Sequence, residues 1–321
     1  MSGDNLAGLH SPTLYVRMFC MKIGAFEIAD DAPTLTNTRA LVMLRPWVDV
    51  GRVGTLVLRK IESHLGARKV GKLARPGNFF DFTMYRPRAQ ANDGQRSLRI
   101  PNSEVHSAHD DATDRDHIFL HLREPHARGE DFTDAIVEVL QHFNVTEYCR
   151  VGSMYDSVPH TRPLRVTGSL TEDQELRAKG IVSIHRNTYQ GPTSIVNLVN
   201  QSLDIMGVEF TSLMLHLPQY VQLDDDYMGV ARMMEAMCAL YGYPDSLVDT
   251  EKGEIQYREI SQGVKNNPGV ARLLEHMERE YDLQQPTDDP DQVEEGDTLS
   301  MPTEMEDFLR ELEGRPRDPE E

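Results

Sequence analysis

Residues 39–66 read RALVMLRPWVDVGRVGTLVLRKIESHLG, and this stretch decides the fold. The short apolar run over 39–44 stops at Pro46, which is typical of a buried strand. From Val53 onward, apolar residues recur at the spacing of a helix until Gly66 ends the pattern. The stretch therefore predicts a strand, a tight loop and a helix, the unit from which α/β proteins are built.

The same alternation of strand and helix continues along the chain. Further strands are predicted at His117–Leu122, Glu147–Val151 and Phe210–Leu217. Further helices are predicted at Phe132–Phe143, between Gly191-Pro192 and Gly207, and at Asp226–Tyr241. The alternation predicts a mostly parallel sheet that is covered by helices on both faces.

The charge divides the chain after residue 281. The 321 residues carry a net charge of −19, and residues 282–321 hold 15 acidic and 3 basic side chains, which is −12 of that total. We expect residues 1–281 to form a single α/β domain. Residues 282–300 have too little apolar surface to offset the entropy of ordering and are predicted to be an acidic disordered linker.

A short amphipathic helix is predicted at 301–314, followed by a disordered end at 315–321. Thr303 and Glu306 have the spacing of a capping box. The apolar positions are Met305, Phe308, Leu309 and Leu312. Such a helix is too short to be stable alone, so it either packs back onto its own domain or docks into the groove of a partner.

Composition excludes several classes of protein. No apolar run approaches the roughly 20 residues that a membrane span needs. The excess of acidic residues would repel phosphate backbones, so we expect no nucleic-acid partner. The three cysteines are far apart in the sequence and form no CxxC pair, which indicates a reducing, cytoplasmic environment.

The candidate site lies on the loops that follow the strands, because partners and ligands of such sheets bind at the carboxyl ends of the strands. The candidate residues for a ligand or an interface are Trp47, Asp49, Gly51, Arg52, Glu124, His160, Arg162, Tyr189, Gly191 and Tyr220. The tail adds Met305, Phe308, Leu309 and Leu312 as candidate docking residues.

Most of these residues have a structural interpretation beside the functional one. Asp49 and Gly51 could present free amides of a helix start to an anion, or could form a tight turn in which Asp49 caps the helix. Trp47 could line a pocket or interface, or be buried against the helix start. His160 and Arg162 could hold an anion and move a proton, or could bind neighbouring strand ends or a second subunit.

No complete catalytic motif is present, so the sequence favours a protein without enzymatic activity. The P-loop-like run from Gly66 to Lys72 is followed by Leu73 where Ser or Thr is required, and no GxSxG elbow occurs. His117 and His121, with His106 nearby in the sequence, do not have the spacing of a recognised metal-binding motif. We therefore expect neither a metal nor a cofactor.

Taken in order, the loops resemble those of the proteasome assembly chaperone family in its bacterial branch. The motifs are Trp-x-Asp-x-Gly at 47–51, Glu-Pro at 124–125, Val-Pro-His-Thr-Arg-Pro at 158–163 and Tyr-x-Gly-Pro at 189–192. The resemblance runs from about Arg39 to Tyr241. One departure is Gln219, where the family has His in a Pro-His-Tyr motif.

The resemblance implies a single domain similar in architecture to the nucleoside phosphorylases, usually self-associating. It implies a protein partner, with proteasome subunits as the family-level expectation. We thus predict a cytoplasmic interaction or scaffold protein that forms homo-oligomers. The alternative is a protein or enzyme that binds a nucleoside- or phosphate-type ligand at the same loops.

Overall fold

The computed structural model describes residues 20–92, 95–184 and 194–283. The strands are β1 Cys20–Ile23, β2 Phe26–Ala29, β3 Thr38–Arg45, β4 Arg68–Leu73, β5 Arg88–Asn92, β6 Gln95–Arg99, β7 Glu104–Asp110, β8 Arg115–Arg123, β9 Val145–Asp156, β10 Val166–Ser169, β11 Val182–Ile184 and β12 Glu209–Pro218. The helices are α1 Val53–His64, α2 Gly129–His142, α3 Glu172–Arg177, α4 Val196–Met206, α5 Tyr227–Tyr241, α6 Glu251–Lys265 and α7 Pro268–Leu283.

The centre of the fold is a parallel sheet with the order β8-β3-β9-β12. Antiparallel strands extend it on both sides to the ten-strand order β1-β2-β4-β7-β8-β3-β9-β12-β10-β11, in which the edge strand β11 pairs parallel with β10. The α/β class and the parallel centre are as predicted. The antiparallel flank was not predicted, because β4 and β7 carry polar side chains and lack the apolar runs of the central strands.

Each face of the sheet has its own hydrophobic core. Along β3, alternate residues contribute to the two cores, with Val42 and Leu44 on one face and Leu41 and Met43 on the other. Helices α2 and α4 cover the first face, and α1 and α5 cover the second. A strand buried on both faces is the reason that β3 reads as a continuous apolar run.

Helices α6 and α7 were not anticipated from the sequence. They are polar helices with few fully buried residues, and their low apolar content makes them harder to recognise in the sequence than the other helices. Helix α7 continues through Asp282 and Leu283, and so includes the first two residues of the segment predicted as a linker. The physical reason is that α7 packs on the domain through Met277 and pairs its acidic residues with a loop of the sheet.

The rest of the predicted linker, the amphipathic helix at 301–314 and the end at 315–321 lie outside the described residues. Among the helices that the structure describes, none has the length and hydropathy of a membrane span.

Candidate functional site

The loop after β3 is held closely against the start of α5. Asp49 is buried, and its carboxylate accepts hydrogen bonds from the amide (3.0 Å) and the hydroxyl (2.5 Å) of Thr55 in the first turn of α1. Gly51 has a φ of +58°, and a Cβ there would lie 2.8 Å from Cβ of Asp226. Its carbonyl accepts the amide of Asp226 at 2.9 Å. The geometry of Asp49 and Gly51 is that of a capped, tightly packed turn.

Two other residues of this loop face outward. Arg52 forms an ion pair of 2.8 Å with Asp225, and both side chains are partly exposed. Trp47 has 65% of its surface exposed, which is unusual for the largest apolar side chain. It is therefore available for contact with another molecule and is not buried against the helix start.

His160 forms a directed chain of hydrogen bonds. Its amide donates to the hydroxyl of Tyr220 at 2.8 Å, so that hydroxyl donates in turn to Nδ1 of His160 at 2.6 Å. Nε2 then carries the ring proton and donates to Oγ of Ser261 at 3.0 Å, and Ser261 donates to the carbonyl of Tyr257 at 2.8 Å. Burial lowers the pKa of His160, which favours this neutral form.

This tautomer has a chemical consequence for Ser261. A histidine that activates a serine must accept the hydroxyl proton on the nitrogen that faces it. Nε2 of His160 already holds a proton, and the hydroxyl of Ser261 is directed to a backbone carbonyl. The arrangement therefore joins the loop after β9 to α6 and does not prepare a nucleophile.

Arg162 is occupied by helix α7. Its Nε and one terminal nitrogen each lie 2.8 Å from an oxygen of Asp282, and the other terminal nitrogen lies 3.3 Å from Glu278. The hydrogen bond to Asp282 raises the pKa of Arg162 further above its usual range. The guanidinium fork that could hold an anion thus already holds two carboxylates of the same chain.

The predicted loops after β3, β9 and β12 do converge, and Asp226 joins them. Its carboxylate accepts hydrogen bonds from the amide of Gly229 (2.7 Å) and the hydroxyl of Tyr257 (3.0 Å), and burial raises its pKa. Tyr257 is also 6.0 Å from His160, measured between ring centres. A cleft of about 500 Å³ opens beside this network, between the loop at 160–164 and helices α5 and α6.

Glu124 lies apart from the loops that converge after β3, β9 and β12. Its carboxylate accepts the hydroxyl of Ser194 at 3.1 Å and the amide of Ile195 at 3.2 Å, at the beginning of α4. A negative charge at a helix start is stabilising, so Glu124 acts on the other face of the sheet. Tyr189 and Gly191 lie outside the described residues.

A second cluster, which the sequence did not reveal, lies between α1 and strands β7 and β8. Glu62 is within 2.9 Å of Nδ1 of His106 and 2.8 Å of Nε2 of His121, and these three groups have the spacing of metal ligands. Burial would lower the pKa of His106, but the nearby carboxylates of Glu104, at 3.7 Å, and Glu62, at 2.9 Å, outweigh that effect and raise it to about 9. The histidine therefore holds a proton at neutral pH. A metal bound here would have to displace that proton, because a histidine that ligates a metal is neutral.

The sequence of this chain matches the model of the PAC2 family over residues 43–267. The chain belongs to the PAC2 family. The predicted resemblance to proteasome assembly chaperones is thereby confirmed at the level of the family. No curated protein matches the sequence of this chain.

Solved structures share the PAC2 fold at low sequence identity. A protein of unknown function from Corynebacterium glutamicum has a TM-score of 0.70 and 19% identity, over 80% of this chain and 97% of its own. A Mycobacterium tuberculosis proteasome-assembly chaperone homologue has a TM-score of 0.64 and 20% identity, over 74% of this chain and 99% of its own. PbaB of Pyrococcus furiosus, an archaeal proteasome activator, has a TM-score of 0.58 and 14% identity, over 76% of this chain and 98% of its own. These likenesses establish the fold of this PAC2 protein.

Replacing His160 with alanine tests its role in this PAC2 domain. We expect the free energy of unfolding to fall by about 2 kcal/mol, because the buried hydroxyl of Tyr220 loses its acceptor. Urea denaturation measures the change. Arg162→Ala is the comparison and is expected to have a small effect, because its ion pairs are partly exposed. A His160→Ala protein as stable as the wild type would contradict the structural role.

Proposed function

We propose that this PAC2 protein is a cytoplasmic, self-associating interaction protein that binds a protein partner. The observation that carries the proposal is the exposure of Trp47, the one tryptophan of the chain, at the end of the central strand β3. Tryptophan is the residue type most enriched among energetically dominant interface positions. The family and the names of its solved relatives suggest proteasome subunits as the first partners to test.

The state of the other loop residues also supports an interaction role. His160 and Arg162 are paired within the chain, so the alternative of a small ligand bound by these two residues has less support. We further infer that residues 301–314 add a docking motif. Their capping-box spacing and apolar positions, Met305, Phe308, Leu309 and Leu312, carry that inference.

Trp47→Ala is expected to weaken self-association or partner binding about tenfold or more, as removal of a central interface tryptophan does. The melting temperature should be unchanged, because the side chain packs little within its own domain. Sedimentation of the pure protein, alone and with purified proteasome α subunits, measures both associations. Since Trp47 is the only tryptophan, its emission should also shift to shorter wavelength on association.

Leu176→Ala is the matched control, because Leu176 is an apolar side chain of α3 with 76% exposure. It should leave association unchanged. Loss of association in both variants would indicate a general effect of apolar surface. Unaltered association of the Trp47→Ala protein would overturn the proposed interface.

A further inference from the structure

Two arginines meet at the carboxyl ends of neighbouring central strands. Arg45 is the last residue of β3 and Arg123 the last of β8, and they are partners in the parallel register. Paired positions of adjacent strands lie about 4.8 Å apart and direct their side chains to the same face. That face is the one covered by α1, since Met43 and Phe119 on the same side of these strands belong to its core.

Among the described residues, neither guanidinium forms an ion pair, although that of Arg123 lies 5.2 Å from the ring centre of Tyr85. The Nε atoms of Arg45 and Arg123 are buried and have no hydrogen-bond partner among the described residues. Burial and the neighbouring charge of Arg123 lower the pKa of Arg45 to about 10. Arg39, at the other end of β3, differs in having a carboxylate partner: its Nε lies 3.0 Å from Glu147, although its Nη1 is also buried without a hydrogen-bond partner among the described residues. Buried donors without acceptors are rare in folded proteins and call for an explanation.

The pocket around these arginines is positively charged. It has a volume of about 70 Å³, and Arg59 and Arg99 also line it, opposed by the carboxylates of Glu62 and Glu104. Both carboxylates are already engaged, Glu62 with the two histidines and Glu104 with Lys69. Four guanidinium groups beside two occupied carboxylates disfavour a divalent cation and favour an anion.

Some groups of the wall are satisfied within the chain, but Nε2 of His106, which also lines the pocket, is buried without a hydrogen-bond partner among the described residues. Asn102 exchanges two hydrogen bonds with the backbone of Leu73, at 3.0 and 3.1 Å. The hydroxyl of Ser103 accepts the amide of Arg123 at 3.1 Å. The groups left to bind a ligand are therefore the guanidinium donors and Nε2 of His106. The volume equals about two water molecules at roughly 30 Å³ each, enough for one small anionic group.

We propose that this pocket binds the phosphate group of a small molecule or free inorganic phosphate. A phosphate dianion compensates more of the arginine charge than a single carboxylate does, and its oxygens can accept donors from several directions. Arginine forks match phosphate geometry through paired hydrogen bonds. The inference is independent of the proposed protein partner, because the described lining of this pocket does not include Trp47.

Calorimetric titration of the full chain at constant ionic strength tests the proposal. Inorganic phosphate should bind saturably, and the double variant Arg45→Gln/Arg123→Gln should bind it roughly ten- to a hundred-fold more weakly, as loss of charged hydrogen bonds implies. The matched control is Arg68→Gln/Arg177→Gln, which removes two exposed arginines paired elsewhere. The control should bind phosphate as the wild type does.

The ligand's source and class follow from two further titrations. Tighter binding of glycerol phosphate than of phosphate would assign the site to the phosphate group of a larger molecule, and equal or weaker binding would assign it to the free ion. Acetate bound as tightly as phosphate would overturn the proposal, as would the absence of saturable binding of either phosphate compound in the wild type.

Stability without phosphate separates a binding role from a structural one. Because the two arginines repel each other and their buried Nε atoms have no acceptor among the described residues, the melting temperature of the phosphate-free double variant should equal or exceed that of the wild type. A lower melting temperature would show that the arginines serve the fold and would overturn the proposal. Arg59→Gln, on the exposed side of α1, gives a milder second variant, expected to weaken phosphate binding a few-fold.

Discussion

Gly253→Ala should strongly destabilise the domain. A Cβ at this position of α6 would lie 2.5 Å from the amide nitrogen and 2.6 Å from Cα of Met228, in the first turn of α5. Backbone atoms cannot rotate away as a side chain can, so the two helices must separate. Overpacking of this kind typically costs about 1–3 kcal/mol, and we expect the upper end or more. Urea denaturation measures the loss.

The same substitution in the same helix provides the control. Gly263 also lies in α6, and a Cβ there would meet nothing within 4 Å. Gly263→Ala should therefore stabilise the protein by about 0.5–1 kcal/mol, because alanine favours the helix more than glycine does. Changes of the same sign in both variants would show that α6 does not pack on α5 as described.

The displacement of α6 should also be visible at the loops. Tyr257 and Ser261 lie on α6, and they contact Asp226 and His160. If α6 moves away from α5, those hydrogen bonds break, and the loops after β9 and β12 lose their common support. Amide exchange near His160 should then become faster in Gly253→Ala and stay unchanged in Gly263→Ala.

Glu147→Ala is expected to cost about 3–5 kcal/mol, the range for removal of one partner of a buried ion pair. Glu147 accepts from Nε of Arg39 at 3.0 Å and lies 2.9 Å from Arg115. The side chains of Arg39 and Glu147 are only 9% and 8% exposed. Alanine would leave the charge of Arg39 buried without its carboxylate partner, beside the ring of Tyr241 at 4.1 Å. Chemical denaturation gives the difference.

A double substitution shows whether the loss comes from the unpaired charge. Arg39→Met/Glu147→Met replaces both partners with apolar side chains and should recover most of the stability lost by Glu147→Ala. Asp173→Ala, which breaks an exposed pair with Arg177, should change stability little. A double variant as unstable as the single one would mean that volume, and not charge, causes the loss.

The candidate site was predictable in its position but not in its chemistry. The loops after β3, β9 and β12 do meet, because parallel strands bring their carboxyl ends to one edge. Their polar residues, however, are largely paired with α5, α6 and α7. The partners of Arg162 are 116 and 120 residues away in the sequence, and no local pattern connects residues at that separation.

The basic pocket could not be found from sequence for a similar reason. Arg45 and Arg123 are each a single basic residue at the end of an apolar strand, which is an ordinary place for a strand to end. Only their register in neighbouring strands puts them side by side. The burial of their Nε atoms depends in addition on α1 and on the segment before β7.

The sequence by itself determined the α/β class, the central strands and their helices, and the family, because these depend on local periodicity and on motifs in order along the chain. Only the tertiary structure decided the antiparallel flank, the cover of α6 and α7 over the loops, and which charges are paired. Pairing depends on contacts between residues far apart in the chain. The spacing of residues along one segment does not predict such contacts.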